Sequence, residues 1–526
     1  MIDEQTLEQA TLQWLEELGY DKAFGPEISP GGETPERKHH SDVILVERLK
    51  NSLTRINPQA PVEAIEEAVQ RILSISSPNI DEANREFHLL LRNGIQVELE
   101  KDGERRGEIV RLFDFEDPSN NDWLAVNQFR VIEGEHNRIP DIVLFVNGIP
   151  LGIIELKNPL DKNATLVKAY NQLQTYKKEI PSIFYFNEVL VVTDGIEAKH
   201  GTVTSPWERF SPWRTIDTSD IPLHMNDLEV LLRGILDHSR FLEIIKDFVL
   251  FIHTGKGWNK VMAMYHQYHA VKIALDRAVE VVNSREKGIG VIWHTQGSGK
   301  SLTMVFYSLK LLSQPELGNP TILVLTDRND LDSQIYERFA EAKDVLPEPV
   351  QVESIEDLKE KLKIPAGGII FSTVQKFNPG KDNAGNQKEF PTLSNRDNII
   401  VIADEAHRSH YNFLSGYARH IRTGLPNAAF IGFTGTPIEL GDKSTTQVFG
   451  DTISVYDIQS SIMDNATVPI YYESRLVKLD LPDYSQEFLD ERFEELTELE
   501  ELEFKQKLKK KWTKLESLVG DEKRLK

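Results

Sequence analysis

The first 80 residues carry apolar side chains at the spacing of one helix face. Ile65, Ala68 and Val69 recur every three or four positions after Pro61, a residue that suits the first turn of a helix. This spacing is typical of an amphipathic helix that packs one side against a core. Residues 1–80 are therefore predicted to form a mainly helical scaffold.

The next stretch changes from helical spacing to short runs rich in β-branched and aromatic residues. A helix containing Phe87 comes first, and the predicted strands then lie near residues 109–115, 128–132, 141–146, 151–156 and 188–193. One α/β domain is predicted over residues 81–215. A helical linker is predicted to follow at residues 216–259.

A third stretch, residues 260–450, alternates helical segments with strands that are apolar throughout. These runs lie at residues 291–293, 321–325, 368–371, 399–402 and 429–433. Strands without a polar face are buried on both sides, and helices between them make parallel crossovers. The pattern predicts a parallel sheet covered by helices on both faces.

The last stretch, residues 451–526, is predicted to be a connector and helical arm. From about residue 485 it is rich first in Glu and then in Lys, with a partial apolar stripe that includes Leu496 and Leu499. A helical hairpin or inter-domain arm fits this pattern, and a solvated charged helix remains the alternative.

Composition narrows the class of protein. The chain has 526 residues, enough for several domains, and 40% of them are hydrophobic and 27% charged, as in globular proteins. The absence of cysteine excludes disulfides, thiolate metal sites and Cys nucleophiles. The net charge of −23 excludes a uniformly basic nucleic-acid coat, although a local positive channel stays open. No leader or membrane-spanning run is recognisable, so we expect a cytoplasmic protein.

A phosphate-binding loop is the sharpest local signal. After an apolar run, the chain reads His294-Thr-Gln-Gly297-Ser298-Gly299-Lys300-Ser301 and then opens an apolar helix. The glycines let backbone N–H groups converge on phosphate oxygens, Lys300 supplies charge, and Ser301 supplies a hydroxyl for Mg²⁺. We expect an ATP site here, although His294 stands where the common pattern has glycine.

An acidic pair follows another apolar run. Asp404 and Glu405 come directly after residues 399–403, at the strand end where parallel sheets bind ligands. Asp404 is expected to hold Mg²⁺ through water, and Glu405 to orient and deprotonate the attacking water. Alone, such a pair is often a helix cap, so the inference depends on the loop at residues 297–301.

These motifs resemble superfamily-2 nucleic-acid motors of the DEAH-box type. Asp404-Glu405-Ala406-His407 matches the box, and Thr434-Gly435-Thr436-Pro437 resembles the motif that couples nucleotide to DNA. The resemblance implies DNA or coupling roles for Thr373, His407, Thr434 and Thr436. It also implies that Gln267 reads adenine. Each small match is weak by itself, and their order along the chain supports the family.

A second site is predicted earlier, around an Asn147-Gly148 turn between two apolar runs. Asn-Gly is a strong hairpin signal, and Glu155 and Lys157 point to one face because strand side chains alternate. With Asp141 they are expected to form a Mg²⁺ site for phosphodiester hydrolysis. A strict two-residue turn, however, pairs Asp141 with Ile154 and leaves the two carboxylates on opposite faces. The metal site therefore requires a longer loop or a β-bulge.

Asp141, Glu155 and Lys157 resemble the core of PD-(D/E)xK nucleases. Gln172 and Tyr176, one helical turn apart, resemble the Q-x-x-x-Y element of the RecB-like branch. A surface hairpin with an ion pair is the alternative reading. Glu86 is considered as a further metal ligand, although a solvated glutamate fits that position better.

A nuclease core followed by such a motor resembles the restriction and translocation subunit of type I restriction-modification enzymes. The resemblance extends over the whole chain and implies an α/β fold, namely a mixed-sheet nuclease domain, a RecA-like parallel-sheet lobe and a helical tail. It implies ATP, Mg²⁺, double-stranded DNA, and methyltransferase and specificity subunits as cofactors and partners, in a bacterial or archaeal cytoplasm. Since no second RecA-like lobe is recognisable, we expect an N-terminal fragment that binds nucleotide but turns it over poorly.

Two other functions remain open. A stand-alone repair helicase-nuclease shares every motif and would not co-purify with a methyltransferase. Alternatively, the chain is an ATP-gated DNA-binding or assembly module with an inactive nuclease site. In that case Lys157→Ala leaves the phenotype unchanged.

Overall fold

The computed structural model describes most of the chain up to residue 468. The described residues are 4–101, 104–158, 165–217, 222, 225–255, 257–284, 286–326, 329–377, 390–406, 417–436 and 447–468. They belong to one compact unit, Met1–Val468, and everything below concerns this unit. The predicted arm after residue 485 and His407 lie outside the described residues.

The first half of the chain combines helices with short strands. Its helices are α1 (Glu4–Glu17), α2 (Gly25–Ile28), α3 (Val46–Ile56), α4 (Val62–Leu73), α5 (Ile80–Asn93) and α6 (Leu166–Glu179). Its strands are β1 (Asp21–Phe24), β2 (Ile95–Lys101), β3 (Glu104–Val110), β4 (Trp123–Asn127), β5 (Val131–Glu133), β6 (His136–Arg138), β7 (Ile142–Val146), β8 (Ile149–Leu156), β9 (Val189–Thr193) and β10 (Ala198–Gly201).

A mixed six-stranded sheet organises this half. Its strand order is β1-β4-β7-β8-β9-β10, with β2–β3 and β5–β6 as separate two-stranded hairpins. The β1–β4 and β8–β9 pairs are parallel, and the other pairs of the sheet are antiparallel. Every residue of β4, β7, β8 and β9 is buried, so helices and loops cover both faces of the sheet centre.

The second half begins with two helices and a hairpin and continues as an alternating α/β lobe. Its helices are α7 (Asp227–Ile235), α8 (His238–Asp247), α9 (Tyr265–Asn283), α10 (Lys300–Ser313), α11 (Asn329–Glu341), α12 (Ile355–Lys361), α13 (Tyr417–Gly424) and α14 (Ile458–Met463). Its strands are β11 (Val249–Thr254), β12 (Gly257–Met262), β13 (Gly288–His294), β14 (Thr321–Thr326), β15 (Val350–Gln351), β16 (Ile369–Thr373), β17 (Ile399–Ala403), β18 (Ala429–Thr434) and β19 (Thr452–Tyr456).

Seven strands of this half form one sheet in the order β15-β16-β14-β17-β18-β13-β19. All six neighbouring pairs are parallel, which confirms the parallel sheet predicted from the apolar runs. Because parallel strands end at a common edge, the segments after β13, β17 and β18 lie side by side. This edge is where an open α/β sheet places its ligand site.

Buried charges join the two halves. Lys260 of β12 places its Nζ 2.7 Å from Glu188 Oε2, and neither side chain is exposed. Glu188 also contacts His88 Nδ1 of α5 at 3.1 Å. Arg85, on the same helix, forms two hydrogen bonds with the Asp344 carboxylate of the second half, at 2.9 and 2.7 Å. Lys260 therefore joins the β11–β12 hairpin to the first half by a buried ion pair, and Arg85 joins the first half to the segment after α11.

The predicted strands agree with the structure where the sequence is apolar throughout. All five strand predictions between residues 291 and 433 are confirmed as β13, β14, β16, β17 and β18. The short edge strands β1, β10, β15 and β19 were missed, because edge strands lack a continuous apolar run. The inner strand β4 was also missed, and the strands predicted near residues 109–115 and 128–132 overlap β3 and β5 by only two residues each. The linker predicted as helical at residues 216–259 contains α7 and α8 but also β11, since a short apolar run fits a strand as well as a helix. Among the described residues, no helix is both long and apolar enough to cross a membrane.

Candidate functional site

The hairpin of β7 and β8 contains the β-bulge that the carboxylate site requires. Asn147 and Gly148 have φ angles of 53° and 76°, as a tight two-residue turn demands. Val146 pairs with Ile149 and Phe145 with Pro150, but the register then shifts so that Leu144 pairs with Gly152. The extra residue on β8 is Leu151, and Ile142 consequently pairs with Ile154.

The bulge brings the two carboxylates to the same place. One residue beyond the Ile142–Ile154 pair, Asp141 lies opposite Glu155, and Asp141 Oδ2 accepts a hydrogen bond from the Leu156 N–H at 2.7 Å. Lys157 Nζ lies 2.7 Å from Glu155 Oε1. The Lys157 backbone N–H bonds to the Thr193 carbonyl of β9, which continues the sheet past the end of β8. Three polar groups thus converge at one end of three neighbouring strands.

Burial makes both carboxyl groups poor acids. Glu155 has no exposed surface, and burial followed by the charge of Asp141 raises its pKa well above the usual value. Burial likewise raises the pKa of Asp141 to about 6, although the Leu156 N–H and the Lys157 ammonium act in the opposite direction. Buried carboxylates with raised pKa values are typical of sites that gain a cation in function.

Helix α6 covers the carboxylates with its Gln172–Tyr176 pair. Gln172 Nε2 donates to the Tyr176 hydroxyl at 2.5 Å, and that hydroxyl donates to the Ile139 carbonyl at 3.4 Å. Burial and then the charge of Glu155 raise the pKa of Tyr176, so the phenol stays protonated near the carboxylates. The structure therefore places this pair beside the carboxylate site.

Glu8 of α1 is a neighbour of the site that the sequence analysis missed. Its carboxylate accepts hydrogen bonds from Asn127 Nδ2 at 2.7 Å and from Gln128 Nε2 at 2.8 Å. The backbone N–H of Gln128, a residue with a positive φ of 56°, bonds to the Asp141 carbonyl. The charge of Glu8 also contributes to the raised pKa of Asp141. No local motif marks Glu8, because it lies more than 130 residues before the hairpin.

The oxygens present fit a divalent cation. Glu155 Oε2 is buried and makes no hydrogen bond, so it is an acceptor that a cation can satisfy. Asp141 supplies a second carboxylate, and Mg²⁺ commonly takes only one or two carboxylates and keeps several waters. Accordingly, the described residues contain no group of three or more His, Asp or Glu side chains arranged around a metal position. Glu86 is 39% exposed and pairs with Arg71 at 2.6 Å, which fits the solvated glutamate favoured by the sequence.

The predicted phosphate loop connects β13 to α10. Gly297 and Gly299 have φ angles of 87° and 86°, which residues with a Cβ rarely adopt. Helix α10 begins at Lys300, so Ser301 lies in its first turn, where free N–H groups face an incoming anion. Ser298 is buried, and its hydroxyl makes no hydrogen bond. The local geometry is that of a loop that folds its backbone donors around phosphate.

Gln267 is held against this loop rather than left free. Its Nε2 donates to the Gly299 carbonyl at 3.1 Å and to Thr303 Oγ1 at 3.3 Å. Its Oε1 accepts from the Met264 N–H at 2.9 Å. A Cβ at position 299 would meet Gln267 Nε2 at 2.8 Å, so a larger residue there would displace the Gln267 side chain. The adenine contact implied by the family resemblance stays a prediction.

The acidic pair lies at the end of β17, beside the loop. Asp404 is largely buried, and its backbone N–H bonds to the Leu325 carbonyl of β14. Glu405 has a positive φ of 49°, a strained conformation for a residue with a long side chain. Burial lowers the pKa of Lys300, while the charges of Glu405 and Asp404 act against that shift. The lysine and both acids therefore share one electrostatic environment.

The residues after β18 complete this edge of the sheet. Thr434 Oγ1 bonds both the N–H and the carbonyl of Thr436, which fixes a tight turn. A Cβ on Gly435 would lie 3.0 Å from Lys300 Nζ, so the turn touches the phosphate loop. Thr373 ends β16, with three strands between it and β13, so its predicted DNA contact is away from the nucleotide.

Comparisons with known proteins agree with this arrangement. Residues 1–209 match the family "Type I restriction enzyme R protein N terminus (HSDR_N)", and residues 266–507 match "SWI2/SNF2 ATPase". The type I restriction enzyme HindI endonuclease subunit of Haemophilus influenzae is 42% identical over 100% of this chain and 50% of its own length. The MjaIXP endonuclease subunit of Methanocaldococcus jannaschii is 38% identical over 98% of this chain and 50% of its own length.

Among solved structures, an HsdR subunit fragment from Vibrio vulnificus YJ016 covers 65% of this chain and 56% of that chain at 18% identity. Its TM-score is 0.26, a likeness on which nothing further rests. The chain spans about half the length of the curated relatives it matches. The two family matches confirm the resemblance that the motifs indicated.

Proposed function

Since the chain is homologous to type I restriction enzyme endonuclease subunits and joins their N-terminal domain to a SWI2/SNF2 ATPase domain, we propose that it belongs to an enzyme that translocates and cuts DNA. In this proposal the chain acts as the R subunit, using ATP to move double-stranded DNA and making a double-strand break. The proposed domains are a scaffold at residues 1–80, a nuclease at 81–215, a linker at 216–259, a motor lobe at 260–450 and a connector at 451–526. Two of these limits need a shift, because β1 of the scaffold belongs to the nuclease sheet and β19 extends the motor sheet to Tyr456.

The nuclease half of the proposal assigns a role to each polar group at the hairpin. Asp141 and Glu155 would hold Mg²⁺, which when bound polarises the scissile phosphate and lowers the pKa of water. Lys157, held 2.7 Å from Glu155, is placed to stabilise the negative charge that develops on the phosphate. Gln172 and Tyr176 are proposed to orient the DNA backbone, because their hydrogen-bonding groups lie over the same carboxylates.

The motor half assigns the nucleotide to the edge formed by β13, β17 and β18. The loop at residues 297–301 would bind the phosphates, with Ser301 and Asp404 holding the accompanying Mg²⁺. Glu405 would take the proton of the attacking water. Thr434 and Thr436 would couple the nucleotide site to DNA, since their turn contacts Lys300. Methyltransferase and specificity subunits are the proposed partners, by analogy with the enzymes for which the relatives are named.

One observation carries the proposal. The Leu151 bulge places Asp141 opposite Glu155, so a hairpin that would otherwise separate the two carboxylates brings them together. A β-bulge disrupts the regular hydrogen-bond ladder between two strands, and proteins retain bulges where they redirect a side chain. Its position fits a built metal site better than an incidental ion pair on a surface.

Two substitutions separate the two activities. Lys157→Ala should abolish Mg²⁺-dependent cleavage of plasmid DNA and leave binding of a fluorescent ATP analogue unchanged. Lys300→Ala should instead abolish binding of the fluorescent ATP analogue. The matched controls are Lys178→Ala, an exposed lysine on α6, and Lys343→Ala, an exposed lysine just after α11. Cleavage that survives Lys157→Ala would refute the nuclease assignment, and analogue binding that survives Lys300→Ala would refute the motor assignment.

A further inference from the structure

A buried carboxylate, Asp464, collects three donors just after α14. Its Oδ1 accepts from Arg214 Nε at 2.5 Å, and its Oδ2 accepts from the hydroxyls of Tyr265 at 2.8 Å and Tyr456 at 2.9 Å. Only 4% of its side chain is exposed. A charged acceptor that is satisfied by three donors and shielded from water fixes their relative positions tightly.

The three donors come from different parts of the chain. Arg214 follows the last strand of the first sheet, Tyr265 is the first residue of α9, and Tyr456 is the last residue of β19. Arg214 also reaches the Met463 carbonyl at 3.3 Å and Asp227 at 3.6 Å. Asp464 therefore ties the end of the first half to a helix, α9, and a strand, β19, of the second half.

Tyr456 contacts the phosphate loop directly, and Tyr265 packs edge-to-face on His266, which also contacts the loop. The Tyr456 carbonyl accepts the N–H of Thr295 at 2.9 Å, and the Tyr456 ring stacks on His266 with 3.7 Å between centroids and a 6° interplanar angle. His266 Nε2 lies 3.2 Å from the Ser298 carbonyl. The loop backbone is thus held at residue 295 by the Tyr456 carbonyl and at residue 298 by His266, on which the Tyr456 ring stacks.

The same segment touches the loop at two further points. His294, which replaces the usual glycine, places its Nε2 2.9 Å from Ser454 Oγ on β19. Three residues after Asp464, the Thr467 methyl group would lie 3.1 Å from a Cβ on Gly297. The histidine at the start of the loop is consequently a packing partner of β19, which accounts for the departure from glycine.

We propose that Asp464 is a positioning residue for the phosphate-binding loop, and that Arg214 makes this positioning responsive to the nuclease half. The proposal rests on the proposed function only for the identity of the loop's ligand. By linkage, any nucleotide that binds the positioned loop more tightly must in turn strengthen the Arg214–Asp464 contact. The pair is then a route by which nucleotide occupancy reaches the nuclease half without a contact between the two sites.

The test compares two arginines of similar exposure. Arg214 is 24% exposed and Arg233 is 25% exposed, and each forms two ion pairs, but Arg233 pairs only with Glu229 and Glu17. In hydrogen exchange of the whole chain without nucleotide, Arg214→Met should accelerate the peptide covering residues 290–303 at least about fivefold, the lower end of typical couplings. Arg233→Met should leave it unchanged, and Arg214→Lys should restore part of the protection. Equal exchange in the two methionine variants would overturn the proposal.

A second variant keeps the test decisive if Arg214→Met does not fold. Tyr456→Phe retains the ring and its stack on His266 but removes the hydroxyl that Asp464 holds, and it should accelerate the same peptide. Wild-type exchange in this variant would count against the proposal. Affinity for a fluorescent ATP analogue should fall by a similar factor in Arg214→Met. If the wild-type chain binds no analogue, the proposed motor function fails, whereas the exchange comparison still decides the role of Asp464.

Discussion

Replacing Asp141 by Asn should stabilise the metal-free protein at neutral pH. Burial raises the pKa of Asp141 from its ordinary 3.8 to about 6 in the folded chain. Since one pKa unit corresponds to about 1.4 kcal/mol, the ionised carboxylate costs the fold about 3 kcal/mol. Asn has nearly the same shape, and its carbonyl oxygen can keep the hydrogen bond from the Leu156 N–H. The substitution therefore removes the unfavourable buried charge and keeps the shape and the hydrogen bond of the side chain.

The sign of the pH dependence follows from the direction of the shift. Below about pH 4 the carboxyl is protonated in both the folded and unfolded chain, so Asn and Asp should be equally stable. The advantage of Asn should grow as pH rises from about 4 to about 6 and stay constant above that. In EDTA at pH 7, the transition that unfolds the first sheet should shift upward by about 6–12 °C, taking 2–4 °C per kcal/mol for a domain of this size.

Asp114→Asn is the matched control because its shift has the opposite sign. Despite some burial, hydrogen bonds from Asn120 and from the N–H groups of Asp117 and Glu116 lower the pKa of Asp114. That variant should be less stable than wild type at pH 7, and the difference should vanish as pH falls through the folded pKa. If Asp141→Asn lowers the melting temperature at pH 7, or raises it equally at pH 4 and pH 7, the electrostatic account of the hairpin is wrong.

Three further outcomes are expected. Lys260→Met should destabilise the protein by about 3–5 kcal/mol in thermal or urea unfolding, because it leaves the fully buried Glu188 carboxylate without its cation, and adding Glu188→Gln should recover part of the loss. Glu8→Gln should shift the pH midpoint of Mn²⁺ binding downward, because the Glu8 charge helps to keep the pKa of Asp141 high, and an unchanged midpoint would remove Glu8 from the site. Mn²⁺ should raise the melting temperature of the wild-type chain at pH 7 and lose most of that effect by pH 5, where protons occupy the carboxylates, and EDTA should reverse it.

The sequence predicted a structural feature correctly where the residues that impose that feature are close together in the chain. The parallel sheet follows from runs without polar positions, and the phosphate loop follows from glycines whose positive φ angles no other residue adopts easily. The same holds for the Asn147-Gly148 turn. In each case the residues that impose the geometry are neighbours in the chain, so their order is visible in the sequence.

The bulge shows where such reasoning stops. The sequence analysis established that Asp141 and Glu155 cannot share a face in a regular hairpin, and hence that an irregularity was needed. It could not locate the extra residue, because the position of a bulge depends on the register in which β8 pairs with both β7 and β9. Leu151 and its neighbours are all apolar and fully buried, so no change in polarity marks the shift.

The role of Asp464 could not be predicted from the sequence at all, because its hydrogen-bond partners are distant in sequence. It lies 250 residues from Arg214 and 199 from Tyr265, and no spacing rule connects positions that far apart. His294 could be identified as a departure from glycine, but its reason became visible only with Ser454 beside it. A residue that matches a phosphate-loop motif is explained by the ligand it binds. A residue that differs from the motif, such as His294, needs a packing partner elsewhere in the chain, and it therefore points to long-range packing. In this chain the partner of His294 lies on β19, whose last residue, Tyr456, is one of the three residues that donate to Asp464.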